Sequence, residues 1–389
     1  MNTKKDYALV LAGGGTKGAY QVGVWKALKE LDISVKAIAG SSIGSLNGAL
    51  ILQDNFEQMI DIYSNIEIKN IMKITEEIDS NKNLFDISNI TKVANSIITN
   101  KGIENEPLRE LINKYIDIEK IYKSDIDFGL VTYSVKNKVS LQLFKDQIPK
   151  DEMVDFLLAS SCFPIFKAQK IGEMELMDGG LYDNSPINML IEKGYRNIIV
   201  ADVEGPGINR KMIDKNVYLK IISPKQNLGG TFEFNHEKIK NNIALGYLDT
   251  MKSFNKMQGH IYYFYSQEFK RMLEIFNLQN IYGLECAAKI YGIDKYKPYK
   301  FEEFIEIVYQ KHKEAQEQYE KLKLTLKGKE LNHLKENLET ILDSEISICF
   351  AKDLYLKKPT SKRFSYLRKI LKSYFDSVEA LIELESYLN

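Results

Sequence analysis

The chain has 389 residues, 44% apolar and 27% charged, with 53 Lys plus Arg against 53 Asp plus Glu. A formal net charge of zero excludes a strongly basic nucleic-acid footprint over the whole chain and an acidic solvating tail, and the apolar fraction excludes wholesale disorder. At about 150 residues per domain, this length suggests two or three domains, or one large α/β domain with an appendage.

The start, MNTKKDYALVLAGGG, superficially copies a signal peptide, but its apolar run from Tyr7 to Ala12 is shorter than the usual h-region of about 7–15 residues. The run enters three glycines, as a buried strand enters a turn. The segment KGAYQVGVWKALKEL then places Val22, Trp25 and Leu28 at helical spacing. KAIAG reads as a second strand and IGSLNGALILQ as a second helix. Residues 55–123 read as a mainly helical, polar-faced insertion over the sheet edge. DFGLVTYS, VSLQLF, NIIVADV and VYLKIIS read as further strands, each bounded by polar or turn residues. Such alternation predicts an α/β fold with a mostly parallel sheet covered by helices.

From about Thr231 Gly and Pro become sparse and Glu, Lys and Leu dominate, with apolar residues at three- and four-residue steps and no sustained heptad. This predicts an all-helical C-terminal region, with PTSKRF near Pro359 as a break before a last amphipathic helix over Tyr366 to Leu388. Its mixed charges fit docking on a neighbouring helix better than lying on a membrane. No stretch of about 18 apolar residues offers a transmembrane helix. Cys162, Cys286 and Cys349 are too widely spaced for a disulfide framework or a metal pair, which is a cytosolic pattern. The placement expected is therefore cytoplasmic, with or without peripheral attachment to a membrane.

Three short motifs bear on chemistry. GGGTKG, between the first strand and helix, satisfies GxGxxG through Gly13, Gly15 and Gly18. Glycines there turn tightly and bare N–H groups at a helix start, so the loop can hold an anion. A dinucleotide pyrophosphate wants an acid at the end of the second strand, yet Asp32 precedes that strand. A P-loop wants Lys and Ser/Thr where Ala19 follows Gly18. The oxyanion of an acyl-transfer intermediate is the third possibility.

The second motif is GxSxG, with Gly40, Ser42 and Gly44 between a strand and a helix. Small neighbours permit a sharp turn that pushes Ser42 outward as a nucleophile, with the Ile43 N–H near any oxyanion. A plain Gly/Ser turn capping a helix is the competing reading of the pentapeptide alone. The third is MDGGLYDNSPI, where Asp178 precedes Gly179 and Gly180 at a strand end. A serine hydroxyl needs a base. The four histidines, His236, His260, His312 and His333, all lie beyond residue 235. His312 and His333, among charged neighbours, read as solvated, and His236 and His260 remain formal candidates. A Ser42–Asp178 dyad makes fewer demands, and desolvation should raise the Asp178 pKa for that role. Asp183 and Asn184 read as turn residues, with Pro186 fixing the exit.

GGGTKG, GSSIG and DGG in this order resemble the patatin-like phospholipase family. ASSCFPIF before the aspartate motif, and the stretch Asn242 to Tyr265, are similar to family segments as well. The resemblance covers Asp6 to Tyr265, with Lys17 where many members carry Arg. It implies a catalytic domain over 1–265, related to α/β-hydrolases, and leaves a helical domain of unknown role over 266–389. Carried over by position, Ser42 is the nucleophile, Asp178 the proton acceptor, and Gly13, Gly14 and Gly15 the oxyanion loop, joined by Ile43. The implied activity is lipid acyl hydrolysis through an acyl-enzyme intermediate, at a membrane or micelle surface. Neither metal nor cofactor is called for, and no nucleic-acid partner. Residues 55–123 and Phe163 to Phe166 are the expected walls of an acyl groove. The alternatives are a non-enzymatic membrane-associated interaction module on the same fold and, more distantly, a Rossmann nucleotide-binding protein.

Overall fold

The computed structural model describes residues 5–73, 102–326, 344–356 and 371–388. The chain divides into two compact units, Met1–Thr250 and Met251–Asn389. The break near Pro359, the start of the last helix at Tyr366, His333 and the middle of the 55–123 insertion lie outside the described residues.

The first unit is built on an eight-stranded sheet. Strands β1 (Asp6–Leu11), β2 (Ser34–Ser41) and β3 (Asp127–Ser134) are parallel neighbours. On the other side of β1, β7 (Asn197–Ala201) and β8 (Tyr218–Ile222) continue the parallel set. Strands β4 (Val139–Phe144) and β6 (Met174–Asp178) pair antiparallel with β3, and β5 (Gln169–Ile171) pairs antiparallel with β6. The sheet is mostly parallel, as the alternation of the sequence predicts.

Strand β1 is an unbroken apolar run because a central parallel strand is covered on both faces, and Ala8 to Leu11 are fully buried. Helix α1 (Ala19–Glu30) buries Val22, Trp25 and Leu28, the stripe its spacing predicts. Helix α2 (Ile43–Ile51) follows β2 directly. Helices α3 (Phe56–Asn65), α4 (Glu106–Tyr115) and α5 (Ile118–Lys123) form the described part of the insertion. Further along come α6 (Met153–Ser160), α7 (Ile187–Glu192) and α8 (His236–Ser253). The order β3-β2-β1-β7-β8 reverses direction at β1, and open α/β sheets bind ligands at the carboxyl ends of strands at such a switch point.

The second unit holds helices α9 (Ser266–Ile275), α10 (Leu278–Ile290), α11 (Phe301–Leu326), α12 (Ser347–Leu356) and α13 (Lys372–Leu388). Its core is aromatic-rich, with Tyr262, Phe264 and Phe304 fully buried and in edge or tilted ring contact. A small sheet, β9 (Met257–Gln258), β10 (Tyr263–Tyr265) and β11 (Pro298–Tyr299), accompanies the helices. The sequence pattern misses β11 because a two-residue strand has no period to read.

Candidate active site

The three motifs converge at the carboxyl ends of β1 and β2 and the end of β6. Ser42, between β2 and α2, has φ 54° and ψ −129°, a positive φ that costs a non-glycine residue about 1–3 kcal/mol. Glycine is required on both sides by close packing. A Cβ at Gly40 would lie 2.4 Å from the Gly44 carbonyl carbon, and one at Gly44 would lie 2.0 Å from the Leu11 carbonyl oxygen. The strained turn is braced by serines. Ser42 N–H donates to Ser160 Oγ at 3.3 Å, and the Ser42 carbonyl accepts from Ser161 Oγ at 3.2 Å and Ser45 Oγ at 2.7 Å.

This geometry brings the Ser42 hydroxyl to Asp178, donating to Oδ2 at 2.7 Å. The other carboxylate oxygen, Oδ1, accepts the Gly180 N–H at 2.8 Å, and Asp178 N–H donates to the Cys162 carbonyl at 2.9 Å. Asp178 is buried, and desolvation pushes its carboxyl up to about 6 against the opposing hydrogen bonds from Ser42 and Gly180. The direction is the one the sequence reading anticipates. Gly179 leaves room for the turn, since a Cβ there would sit 2.3 Å from the Val131 carbonyl oxygen. The Cys162 thiol, buried beside Asp178, is pushed up to about 12 and stays protonated at neutral pH.

The glycine loop separates into two roles. Gly13 N–H donates to the Asn184 carbonyl at 3.1 Å, and Asn184 Nδ2 donates back to the Gly13 carbonyl at 3.1 Å. This two-way clasp takes Gly13 out of the set of N–H groups open to an oxyanion. Gly14, Gly15 and Ile43 line the cavity beside Ser42, and among the described residues their N–H groups have no hydrogen-bond partner. The Thr16 and Lys17 N–H groups are not open to a diphosphate, because Thr16 N–H donates to the Thr231 carbonyl and Lys17 N–H to that of Gly14. The Lys17 ammonium donates to the Glu204 carbonyl at 2.9 Å, bracing the loop that follows β7.

Ser42 and Asp178 open into a cavity whose wall is largely apolar. Tyr63, Ile66 and Leu108 come from the insertion, and Phe163 and Phe166 from the segment before β5, as the sequence reading expects of an acyl groove. Phe232, which no sequence pattern singles out, closes the wall edge-on to Phe163 at 5.3 Å.

No histidine lines this cavity among the described residues. His236 begins α8, and the His260 ring lies 5.1 Å from that of Tyr282 in the second unit. His312 corrects its expected exposure, since it is fully buried with Nδ1 2.6 Å from the Tyr291 hydroxyl and Nε2 2.9 Å from Gln316. Its charged sequence neighbours conceal that it falls on the buried stripe Phe304, Val308, His312, Ala315 and Tyr319 of α11. Asn184 likewise proves more than a turn residue. Neither it nor Ser160 and Ser161 carries a sequence signal separating a buried brace from a polar turn.

The sequence model of the patatin-like phospholipase family matches residues 9–191, a span that holds the glycine loop, Ser42 and Asp178. The chain carries a patatin-like phospholipase domain. Mouse (Mus musculus) patatin-like phospholipase domain-containing protein 6 is 26% identical over 204 residues, 52% of this chain and 14% of that protein. Lysophospholipase NTE1 of Candida albicans is 28% identical over 198 residues, 50% of this chain and 13% of that protein. The chain thus matches about a seventh of the length of these relatives. Among solved structures, the crystal structure of VipD from Legionella pneumophila aligns over 98% of this chain and 86% of its own, with TM-score 0.42 and 14% identity. The aromatic wall residue Phe232 lies outside the matched patatin-like span.

Proposed function

We propose that this protein is a lipid acyl hydrolase of the phospholipase A or lysophospholipase type, working through a Ser42–Asp178 dyad. The observation that carries the reading is the 2.7 Å hydrogen bond from Ser42 Oγ to a buried carboxylate at the mouth of an apolar-walled cavity. The patatin-like domain and the names of its relatives support a lipid ester as substrate.

Ser42 Oγ attacks the ester carbonyl while its proton passes to Asp178 Oδ2. The carbonyl π pair moves onto oxygen, where the Gly14, Gly15 and Ile43 N–H groups stabilise the charge. Losing one such donor typically costs about 10²–10³ in turnover. As the tetrahedral species collapses, the alkoxide leaves with the proton held by Asp178, and the acyl group remains on Ser42. Water then gives a proton to Asp178 and attacks the acyl-enzyme. The second collapse returns that proton to Ser42 Oγ and frees the fatty acid. A carboxylate of ordinary acidity is a poor base for a hydroxyl, so the raised pKa of Asp178 narrows the mismatch. Asn184 acts at one remove, holding Gly13 so that the next two N–H groups face the cavity.

The test is fatty-acid release from a mixed phospholipid and lysophospholipid panel, with chelator present, by wild type, Ser42→Ala and Asp178→Asn, alongside labelling by a fluorophosphonate probe. Release and labelling by wild type alone support the dyad. Equal release by wild type and Ser42→Ala removes Ser42 as nucleophile. A wild type that neither releases fatty acid nor takes the probe leaves a non-enzymatic module on this fold as the better reading.

A further inference from the structure

Two loops leave the carboxyl edge of the sheet, the edge at which Ser42 stands. The first is the turn between β3 and β4, residues 135–139, which continues the strand whose Thr132 pairs with Asp178. The second follows β7, and its Pro206 lines the cavity beside Ser42. Their compositions match. Each holds two aliphatic side chains out in water, Val135 and Val139 at 48% and 50% exposed, Ile208 and Ile213 at 57% and 60%. Each also carries two exposed cations, Lys136 and Lys138 in the turn, Arg210 and Lys211 in the loop. Neither 135–139 nor 206–213 contains an acidic residue. Acids stand only at the ends of the second loop: Asp202 and Glu204 before Pro206, and Asp214, which lies 3.7 Å from Arg196 Nε, after Ile213.

The two loops are joined by a stack. The Tyr133 ring lies nearly parallel to that of Tyr182, with centroids 6.3 Å apart, and Arg210 Cζ sits 4.3 Å from the Tyr182 centroid. The segment that follows Asp178 also holds the backbone of the second loop. Ile208 N–H donates to the Gly180 carbonyl at 2.9 Å, and the Ile208 carbonyl accepts the Asn184 N–H at 2.6 Å. Asn188 Nδ2 donates to the Lys211 carbonyl at 2.9 Å, and Ile213 N–H donates to Asn188 Oδ1 at 3.0 Å. Ile208 thus offers an apolar side chain on a backbone whose polar groups are already paired. A residue in that state enters an apolar phase most readily, because an unpaired N–H or C=O resists leaving water.

A single exposed aliphatic residue is ordinary on a protein surface. Here four of them alternate with four cations beside the opening of an apolar-walled cavity. A protein partner would have to desolvate those cations against matched acids. A lipid surface takes the methyl groups below its head groups and leaves the ammonium and guanidinium groups at phosphate level, on stems that are themselves apolar. We infer that residues 135–139 and 206–213 form the surface by which this protein docks on an anionic lipid bilayer, setting the cavity beside Ser42 against the head groups. The inference rests on the reading of that cavity as a site for a lipid ester.

The experiment is cosedimentation of the whole chain carrying Ser42→Ala, so that no lipid is consumed, with phosphatidylglycerol or phosphatidylcholine vesicles. Further substitutions are made on that background, with a thermal melt of each to establish folding. Lys136→Gln with Lys138→Gln should weaken binding to phosphatidylglycerol at least about tenfold and leave the weaker binding to phosphatidylcholine unchanged. Ile208→Ser with Ile213→Ser should weaken binding to both by about tenfold. Lys5→Gln with Lys36→Gln removes the same charge near the amino ends of β1 and β2, the opposite edge of the sheet, and should change neither. The inference is overturned if the parent protein does not sediment with phosphatidylglycerol, if both loop variants bind as the parent does, or if the Lys5 and Lys36 pair loses as much as the Lys136 and Lys138 pair. The reading of Ser42 stands or falls separately, on fluorophosphonate labelling and hydrolysis of a water-soluble butyrate ester by wild type with no vesicle present.

Discussion

Asp178 in the first unit and Glu285 in the second are both buried carboxylates whose pKa is raised by desolvation. Asp178 accepts one backbone N–H and one serine hydroxyl, and it lines a cavity. Glu285 accepts three successive backbone N–H groups, those of His260, Ile261 and Tyr262, and does not line that cavity. A backbone N–H cannot give its proton to the carboxylate in any useful reaction, whereas a hydroxyl turned toward open space can. Burial and a raised pKa therefore do not by themselves distinguish a reactive carboxylate from a structural one. The kind of donor and the presence of room for a substrate do.

The strongest attempt to break this contrast is exchange of the proposed reactive pair. Ser42→Ala and Asp178→Asn should each lower fatty-acid release on the order of 10⁴-fold, measured against wild type at equal folded concentration. Retention of release by Asp178→Asn would mean that something other than this carboxylate receives the proton. Glu285→Ala should act on the other side of the comparison. It strands the buried Tyr262 N–H and the partly buried N–H groups of His260 and Ile261, so a loss of about 2–3 kcal/mol of stability is expected in denaturant titration. Its folded fraction should keep wild-type kcat. A fall in kcat without loss of stability would assign Glu285 to the chemistry.

Asn184→Ala is expected to lower kcat about 10- to 100-fold with little change in KM, because it releases half of the clasp on Gly13 without touching substrate. An unchanged kcat would show that the glycine loop holds its shape without the side-chain half of that clasp. Asn184 also marks where reading the sequence stops. The strands are legible because short apolar runs end in glycine or in polar and turn residues, and Ser42 because only small residues fit around so sharp a turn. Asn184, Ser160 and Ser161 have their partners more than a hundred residues away, so no local pattern marks them. His312 misleads for the opposite reason. Its charged neighbours in Lys311–Glu314 describe the outer face of α11, while the three- and four-residue steps to Val308 and Ala315 place His312 on the inner one. The periodic signal is present and the composition signal masks it.

The dependence of stability on pH sharpens the comparison most, because it assigns the two units opposite signs. Burial raises Asp178 from its ordinary 3.8 to about 6, so between those values the folded chain holds a proton that the unfolded chain has lost. Stability then falls as pH rises through about 4 to 6, a contribution on the order of 3 kcal/mol for a shift of two units. His312 goes the other way. Burial and the nearby Lys352 charge lower it from 6.5 to about 4, against the attraction of Glu385, so the unfolded chain holds the extra proton. Its contribution is fully present above about 6.5 and is lost as pH falls toward 4. Stability measured by denaturant titration at several pH values should therefore climb more steeply with pH in Asp178→Asn than in wild type. In His312→Gln it should climb less steeply. Asp178→Asn should also be the more stable protein above pH 7 while being nearly inactive, since it removes a buried charge that costs the fold stability. The residual kcat/KM of the same variant should show no rise near pH 6, whereas titration of Asp178 should give the wild type such a rise. Equal slopes in wild type and both variants would mean that neither group differs in acidity between the folded and unfolded chains. The weakened acidity of Asp178 would then have no part in its proposed role as base.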